Sequence, residues 1–297
     1  MTDPFAISVV IRTRDSARTL ERVILGLDRA DGDEVIVVDS GSRDATLEIA
    51  RKHGAVIVPA PGPFNYSRSL NLGFAAAKNP WVLVLSSHAI PIVDRFLEIH
   101  RAAAKKFPAD VVVGYAPGDM TSEPQLTGPG NELVFLAKCD APKINQICGN
   151  ANSIYRRSAW VELPFDEAIR TAEDKIWMVE MVKRNHRFAS IPAARTVNRN
   201  QGSLAYMFRK GFSDRRALNT WISRSGQLKG LDESGATAGE PIRPMTLWQL
   251  GGAFKQHTRL KLSGRIDTGN WIRYSAHILG QFAGSYCHHD NMPKKKP

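Results

Sequence analysis

Four short polar clusters hold the side chains of this sequence that could do chemistry. They are RTRD (12–15), Asp39 within VVDSGSRDAT, SSH (86–88) and the adjacent acids Glu173 and Asp174. An arginine can neutralise phosphate oxygens and bond them in pairs. A carboxylate can accept hydrogen bonds or take a proton from a hydroxyl within reach. An imidazole can ligate a divalent cation. Each cluster also has a purely architectural reading. Asp39 can cap the helix that follows it, and SGSRD is turn chemistry in any case. His88 can be a satisfied interior histidine, and Glu173 and Asp174 can be first-turn acids that favour the helix dipole. No Ser-His-Asp or Cys-His arrangement argues for a covalent intermediate.

The elements that must position these clusters follow from the apolar periodicity. ISVVIR (7–12), EVIVVD (34–39), AVIVP (55–59), WVLVLS (81–86) and DVVVGY (110–115) are short, continuously apolar strands. Between them lie helical patterns. ARTLERVILGL (17–27) puts Leu20, Val23, Ile24 and Leu27 on one face, with Asp15 or Ser16 as N-cap. A short helix capped by Ser42 or Asp44 runs to Lys52, with Gly54 as its C-terminal glycine. Residues 67–78 and 93–107 are the next two helices. This alternation predicts an α/β fold, a mostly parallel sheet with helices on both faces. In such sheets ligands bind beyond the carboxyl ends of the strands, so the first three polar clusters should converge on one edge. Farther along, 116–131 reads as a long Pro/Gly-rich loop. Residues 149–160 read as a strand entering a helix, 171–185 as a helix, 187–192 as a strand and 203–222 as a basic helix. Residues 225–241 form a Gly-rich linker, and 244–262 and 268–286 are amphipathic.

Composition narrows the class. The 297 residues are 43% hydrophobic and 23% charged, which excludes disorder, collagen and coiled coil. The longest apolar runs are strand-length, far short of the roughly 20 residues of a membrane span. The N-terminus enters a strand pattern without a signal-peptide design. Three cysteines (Cys139, Cys148, Cys287) with no CxxC fit a reducing cytoplasm rather than a disulfide framework or zinc site. The net charge of +11 suggests a polyanionic partner. Much of that excess lies beyond residue 222, where eleven Lys/Arg face five Asp/Glu. A nucleic-acid module would carry its basic residues and aromatics on one face of the main domain instead, so no nucleic acid is expected.

Three segments together resemble the family-2 glycosyltransferases: VIVVDSGSRDAT (35–46), FNYSRSLNLGFAAAKNPWVLVLSSHAIP (64–91) and LPFDEAIRTAEDKIWMVEMVKRNHRFASIP (163–192). The similarity covers about residues 7–222 and leans toward bacterial rhamnosyltransferase-like enzymes of surface polysaccharide assembly. It implies a GT-A fold. A nucleotide-binding half (about 1–115) joins an acceptor half (about 116–222), followed by a basic helical extension (223–297) with a disordered tail. It implies an inverting enzyme that moves a sugar from a nucleotide-diphosphate donor to a saccharide or lipid-linked acceptor. Thr13 and Arg14 would line the nucleobase pocket and Asp39 would accept from base or ribose. Arg68, Asn71 and Ser87 would belong to the donor pocket, and Asp174 would be the catalytic base. Ser86-Ser87-His88 stands where relatives carry Asp-x-Asp, so His88 becomes the implied ligand of a divalent cation, Mn²⁺ or Mg²⁺. Asn198 and Asn200 stand near where relatives place a histidine. The alternatives are a degenerate, non-catalytic relative and a nucleotidyltransferase, although RTRDSARTL lacks the latter's glycines. In the extension, Trp248, Phe254, Leu260, Trp271, Tyr274, Ile278, Phe282 and Tyr286 alternate with Lys255, Arg259, Lys261, Arg265 and Arg273. That pattern suits a peripheral contact with an anionic membrane, a homodimer helix or a solvated face.

Overall fold

The structure, a computed structural model, describes residues 3–115, 134–136, 149–169, 172–198, 203–225 and 268–285, with isolated positions between 250 and 262. The expected loop 116–131, the linker beyond its first residue Ser225, Asn200 and the tail lie outside the described residues. Two compact units emerge, Met1–Asp119 with Pro124–Asn200, and Gln201–Pro297 with Met120–Glu123. The compact division thus falls after Asn200 and not after residue 222. The reason is that the basic helix Leu204–Ser225 packs along Thr268–Ser285.

The first unit opens with β1 (Ile7–Thr13), α1 (Ala17–Leu25), β2 (Glu34–Asp39), α2 (Thr46–Lys52), β3 (Val56–Pro59), α3 (Tyr66–Ala76) and β4 (Trp81–Ser86). These four strands pair in parallel in the order β3-β2-β1-β4. The chain steps outward from β1 to β3 and then returns to the other side of β1. The strand order therefore reverses between β1 and β4, and in such sheets ligands bind in the crevice at that point, beyond the carboxyl ends. Both faces of the sheet are covered. Ile7, Val9 and Ile11 pack with Leu20, Val23, Ile24, Leu83, Leu85 and Phe96 in one buried cluster. On the opposite face α3 lies so close that a Cβ on Gly73 would sit 2.4 Å from Val10 Cγ1.

The remainder is β5 (Ala89–Pro91), α4 (Phe96–Lys106), β6 (Val111–Tyr115), β7 (Val134–Leu136), β8 (Asn152–Arg156), α5 (Arg157–Glu162), α6 (Glu173–Lys183) and β9 (Phe188–Asn198). β8 inserts antiparallel between β4 and β6, and β6 runs parallel to β9. The parallel pattern read from the first strands therefore turns mixed in the second half. β9 shifts register across Gly114/Tyr115 and continues to pair antiparallel with β5, which sets Asn198 opposite Ala89. Neither β5 nor β7 was legible as a strand, since both are only three residues long.

The second unit holds α7 (Leu204–Ser225) and α8 (Thr268–Ser285). Their backbones meet at glycines. A Cβ on Gly211 would lie 2.1 Å from the His277 carbonyl oxygen, and one on Gly280 would lie 2.0 Å from that of Phe208. No helix among the described residues is long and apolar enough to cross a membrane.

Candidate functional site

The carboxyl ends of β1, β2 and β4 bring the first three polar clusters together. Thr13 pairs in register with Asp39, and Arg12 with Ser86. Thr13 is 4% exposed, and its Oγ1 has no hydrogen-bond partner among the described residues. Buried hydroxyls are normally satisfied, so Thr13 is poised to bond something else. Arg14 is 56% exposed and lies 3.9 Å from Asp15 Oδ2. Asp15 adopts a left-handed backbone (φ 48°) and ties this loop to the next, accepting from Arg43 N–H at 2.7 Å.

Asp39 stands at the edge of the sheet but does not cap the next helix. It ends β2 at the crevice, yet its carboxylate accepts from the N–H groups of Gly41 and Ser42 (3.0 Å each) and from Ser42 Oγ. The N-cap position of the next helix is Ala45, which makes no side-chain cap; Asp44 just before it accepts from Thr46 N–H at 3.0 Å and also from Ala17 N–H at 3.0 Å. One acid thus serves both α1 and α2, and Ser16 makes no side-chain cap.

Beyond β4, Ser87 Oγ and Ser16 Oγ lie 2.8 Å apart, which stitches the two loops that flank the crevice. His88 Nδ1 is 3.3 Å from Thr19 Oγ1. Burial pushes the His88 imidazole below its ordinary pKa, so the ring is neutral at pH 7 and free to ligate. The register of β5 and β9 brings the Asn198 backbone opposite Ala89, one residue from His88. Among the described residues no group of three His, Cys, Asp or Glu side chains converges to hold a metal. A cation here fits only where a ligand's own oxygens complete its shell around His88, because hard divalent ions demand six or more donors.

Helix α3 enters the site with its first turn. Asn65 caps it, accepting from Arg68 N–H at 3.0 Å. Arg68 Nη2 donates to Pro63 O at 2.6 Å, and Nε is buried with no partner among the described residues. Asn71, expected to line a donor pocket, does other work. Its Oδ1 accepts from Trp160 Nε1 and Phe165 N–H (3.0 Å each), and its Nδ2 donates to Phe165 O (2.9 Å) and Glu167 Oε1 (3.0 Å). The amide is fully used, so Asn71 is a staple for the segment that leads to α6. Asn65 Nδ2 and Ser67 Oγ fasten the same segment through Glu167 O and Ile169 O.

The fourth cluster meets the first. Arg12 Nη1 bonds Glu173 Oε1 at 3.2 Å, and Nη2 donates to Asn150 O at 3.1 Å. The guanidinium lies 4.9 Å over the Tyr66 ring. Asp174 accepts from Asn150 N–H at 3.1 Å and from Lys175 N–H at 2.8 Å. Just before them Ala172 holds a left-handed φ of 58°, a strained conformation for a residue with a Cβ. Glu173, which the sequence allowed to be merely a first-turn acid, is only 6% exposed. Burial and the charge of Asp174 push its carboxyl up to about 7, against the pull of Arg12 and Asn150. Arg12 stands out in the sequence only as part of RTRD, with no role of its own, and nothing there singles out Asn150 or Tyr66. One signal for Arg12 was available: a cation ending an otherwise apolar strand must meet a counter-charge.

Residues 8–162, more than half of the chain, match the profile of a family described as glycosyl transferase family 2. A TPR repeat-containing protein of Synechococcus elongatus is 33% identical over 93 residues, 31% of this chain and 23% of that protein, so the chain spans about a quarter of that curated relative. Among solved structures, Mycobacterium tuberculosis glucosyl-3-phosphoglycerate synthase in complex with Mn²⁺, UDP and glucosyl-3-phosphoglycerate gives a TM-score of 0.57 at 20% identity, over 74% of this chain and 80% of that one. S. aureus TarS 1–349 in complex with UDP gives 0.54 at 19% identity, over 73% and 65%. These structural likenesses establish the fold, the Rossmann-like sheet of the GT-A class.

Proposed function

Because the chain belongs to glycosyl transferase family 2, we propose that it is an inverting glycosyltransferase that uses a nucleotide-diphosphate sugar. The acceptor is a saccharide or lipid-linked saccharide of a cell-surface polysaccharide. The observation that carries this reading is the meeting of the four polar clusters at one edge of the sheet. Thr13, Asp39, Ser87 and His88 edge the parallel strands, and Asp174 is tied to the same edge through Asn150 and Arg12.

The donor's base and ribose meet Thr13, Arg14 and Asp39, with the unpartnered Thr13 hydroxyl as a ready hydrogen-bonding group. Arg68 and Ser87 face the diphosphate. The acceptor hydroxyl gives its proton to the Asp174 carboxylate as its oxygen attacks the anomeric carbon. The bond from that carbon to the diphosphate oxygen breaks on the opposite side, and the nucleoside diphosphate leaves. Structural relatives solved with UDP and Mn²⁺ or Mg²⁺ support a divalent cation, and His88 is the side chain of this chain that would hold it beside the diphosphate. When bound, such an ion offsets the charge that develops on the departing diphosphate. Imidazole favours Mn²⁺ over the harder Mg²⁺. The basic, aromatic stretch after residue 222 supports a peripheral contact with the cytoplasmic face of the membrane.

The test is a melting-temperature screen of nucleoside diphosphates with and without Mn²⁺ and Mg²⁺, since a ligand of the native state raises the melting temperature. At least one nucleotide should do so, more strongly with metal. No rise with any nucleotide in either metal would end the donor reading. For the membrane contact, full-length protein should bind anionic vesicles less as salt rises. Equal binding by a chain with Lys255, Arg259 and Lys261 changed to glutamate would end that part.

A further inference from the structure

The two acids that begin α6 are seated by a relay of contacts that starts on the far side of the crevice, on β1. Arg12 reaches Glu173 Oε1 with Nη1 (3.2 Å) and the Asn150 carbonyl with Nη2 (3.1 Å). Asn150 returns two bonds. Its Nδ2 donates to the same Glu173 Oε1 (3.1 Å), and its N–H donates to Asp174 Oδ2 (3.1 Å). The remaining amide oxygen of Asn150 accepts from Tyr155 OH. Every polar group of Asn150 is therefore bound, and two of its bonds depend on Arg12 and Glu173. Asn150 is itself buried, as are Glu173 and Tyr155. Glu173 cannot be a solubilising acid at such a position. Its Oε1 is already shared by two donors.

We propose that Glu173 is a positioning residue for Asp174: paired with Arg12 it fixes Asn150, and the Asn150 N–H in turn holds one oxygen of the Asp174 carboxylate. This rests on the reading of Asp174 as the base. The relay also joins the halves, since Arg12 belongs to the strand that carries Thr13 and Glu173 to the helix that carries Asp174. With the Asn150 N–H on Oδ2 and the Lys175 N–H on Oδ1, the plane of the Asp174 carboxylate is fixed, and the remaining lone pairs point in a defined direction, which general-base catalysis needs. The arrangement makes a specific forecast about substitution. Both donors converge on Oε1, so glutamine can offer its carbonyl oxygen in the same place, whereas alanine cannot.

Amide hydrogen exchange of the full chain reads the relay without any substrate. Glu173→Ala and Arg12→Met should each speed exchange at the Asn150 N–H by about tenfold or more, the loss of one well-held bond. The β1 core amides of Val9, Val10 and Ile11 should not change. Glu173→Gln should recover the protection. Should the single variants fail to fold, Arg12→Met/Glu173→Leu replaces the buried pair by apolar groups, a change such sites commonly tolerate, and the same exposure of Asn150 is expected. In transfer assays Glu173→Ala should lower kcat by about tenfold with the donor KM held, and Glu173→Gln should regain most of it. Undiminished protection at Asn150 in any folded variant lacking the Glu173 side-chain oxygen overturns the proposal. Loss of that protection together with full transfer by Asp174→Asn would instead sink the base assignment and leave the relay standing.

Discussion

Glu173 and His100 make a paired prediction about stability and pH. Both are fully buried, and their proton affinities are displaced in opposite senses. Glu173 is raised from 4.5 to about 7, because burial and Asp174 disfavour its charge more than Arg12 and Asn150 favour it. His100 is lowered from 6.5 to about 4, because burial outweighs its contacts with Phe96 O (2.9 Å) and Asn152 Oδ1 (3.0 Å). Between pH 4.5 and 7 the folded chain keeps a proton on Glu173 that the unfolded chain has lost. Stability from this group is therefore present at low pH and falls as pH rises through that window. Between pH 4 and 6.5 the unfolded chain carries a proton on His100 that the folded chain lacks. Stability from His100 therefore falls as pH drops through its window. Each slope is about 1.4 kcal/mol per pH unit, and each full window is worth roughly 3 kcal/mol. Where the windows overlap, the two slopes cancel. Removing one group exposes the other. The stability of Glu173→Gln relative to the wild type should rise by roughly 3 kcal/mol from pH 4.5 to 7, whatever its constant offset. That of His100→Gln should fall by a similar amount from pH 4 to 6.5. Urea unfolding followed by fluorescence at fixed ionic strength, at half-unit steps of pH, measures both. A difference curve that stays flat for Glu173→Gln would mean that this carboxyl ionises as it does in the unfolded chain, and the buried pair described for the site would be wrong.

Asp174→Asn should cut sugar transfer by roughly 10²–10⁴-fold, the usual worth of a general base. Its carboxylate accepts from two backbone N–H groups, so an amide must turn its NH₂ toward one of them, at a cost of about 1–3 kcal/mol. From a total of at least about 5 kcal/mol most molecules stay folded, so a hundredfold loss cannot be unfolding, and wild-type turnover in the folded variant would sink the mechanism. Asp39→Ala frees three donors of the 41–42 turn. It should weaken nucleoside-diphosphate binding by about 1–3 kcal/mol in calorimetry, and unchanged affinity in a folded variant would remove Asp39 from the site. Gly73→Ala drives a Cβ to 2.4 Å from Val10 Cγ1. Overpacking of about 1–3 kcal/mol should outweigh the roughly 1 kcal/mol gained in helix propensity. Thermal unfolding should show Val10→Ala restoring the loss in the double variant.

Local pattern was enough for the first half of the fold. Strands buried on both faces need unbroken apolar runs, and ISVVIR, EVIVVD and WVLVLS have them. Parallel strands in turn need crossovers, and the helical periods between the runs supply them. With those elements in place, Thr13, Asp39, Ser87 and His88 had to share an edge, because residues that follow parallel strands emerge on one side. The identity of the fourth cluster was visible too, as two acids at the start of a helix.

Tertiary structure decided what each of those side chains is for. Asn71 and a donor-pocket asparagine look alike in a sequence. Only the approach of Trp160 and Phe165, about ninety residues away, reveals that its amide is spent. Glu173 and Asp174 are neighbours of similar chemistry, yet one is buried against Arg12 and the other is held by backbone N–H groups. The antiparallel entry of β8 between β4 and β6 produced that difference, because it carries Asn150 to the end of β1. Pairing across 138 and 161 residues leaves no trace in local periodicity. It arises when the sheet closes and buried charges must find the partners that make burial tolerable.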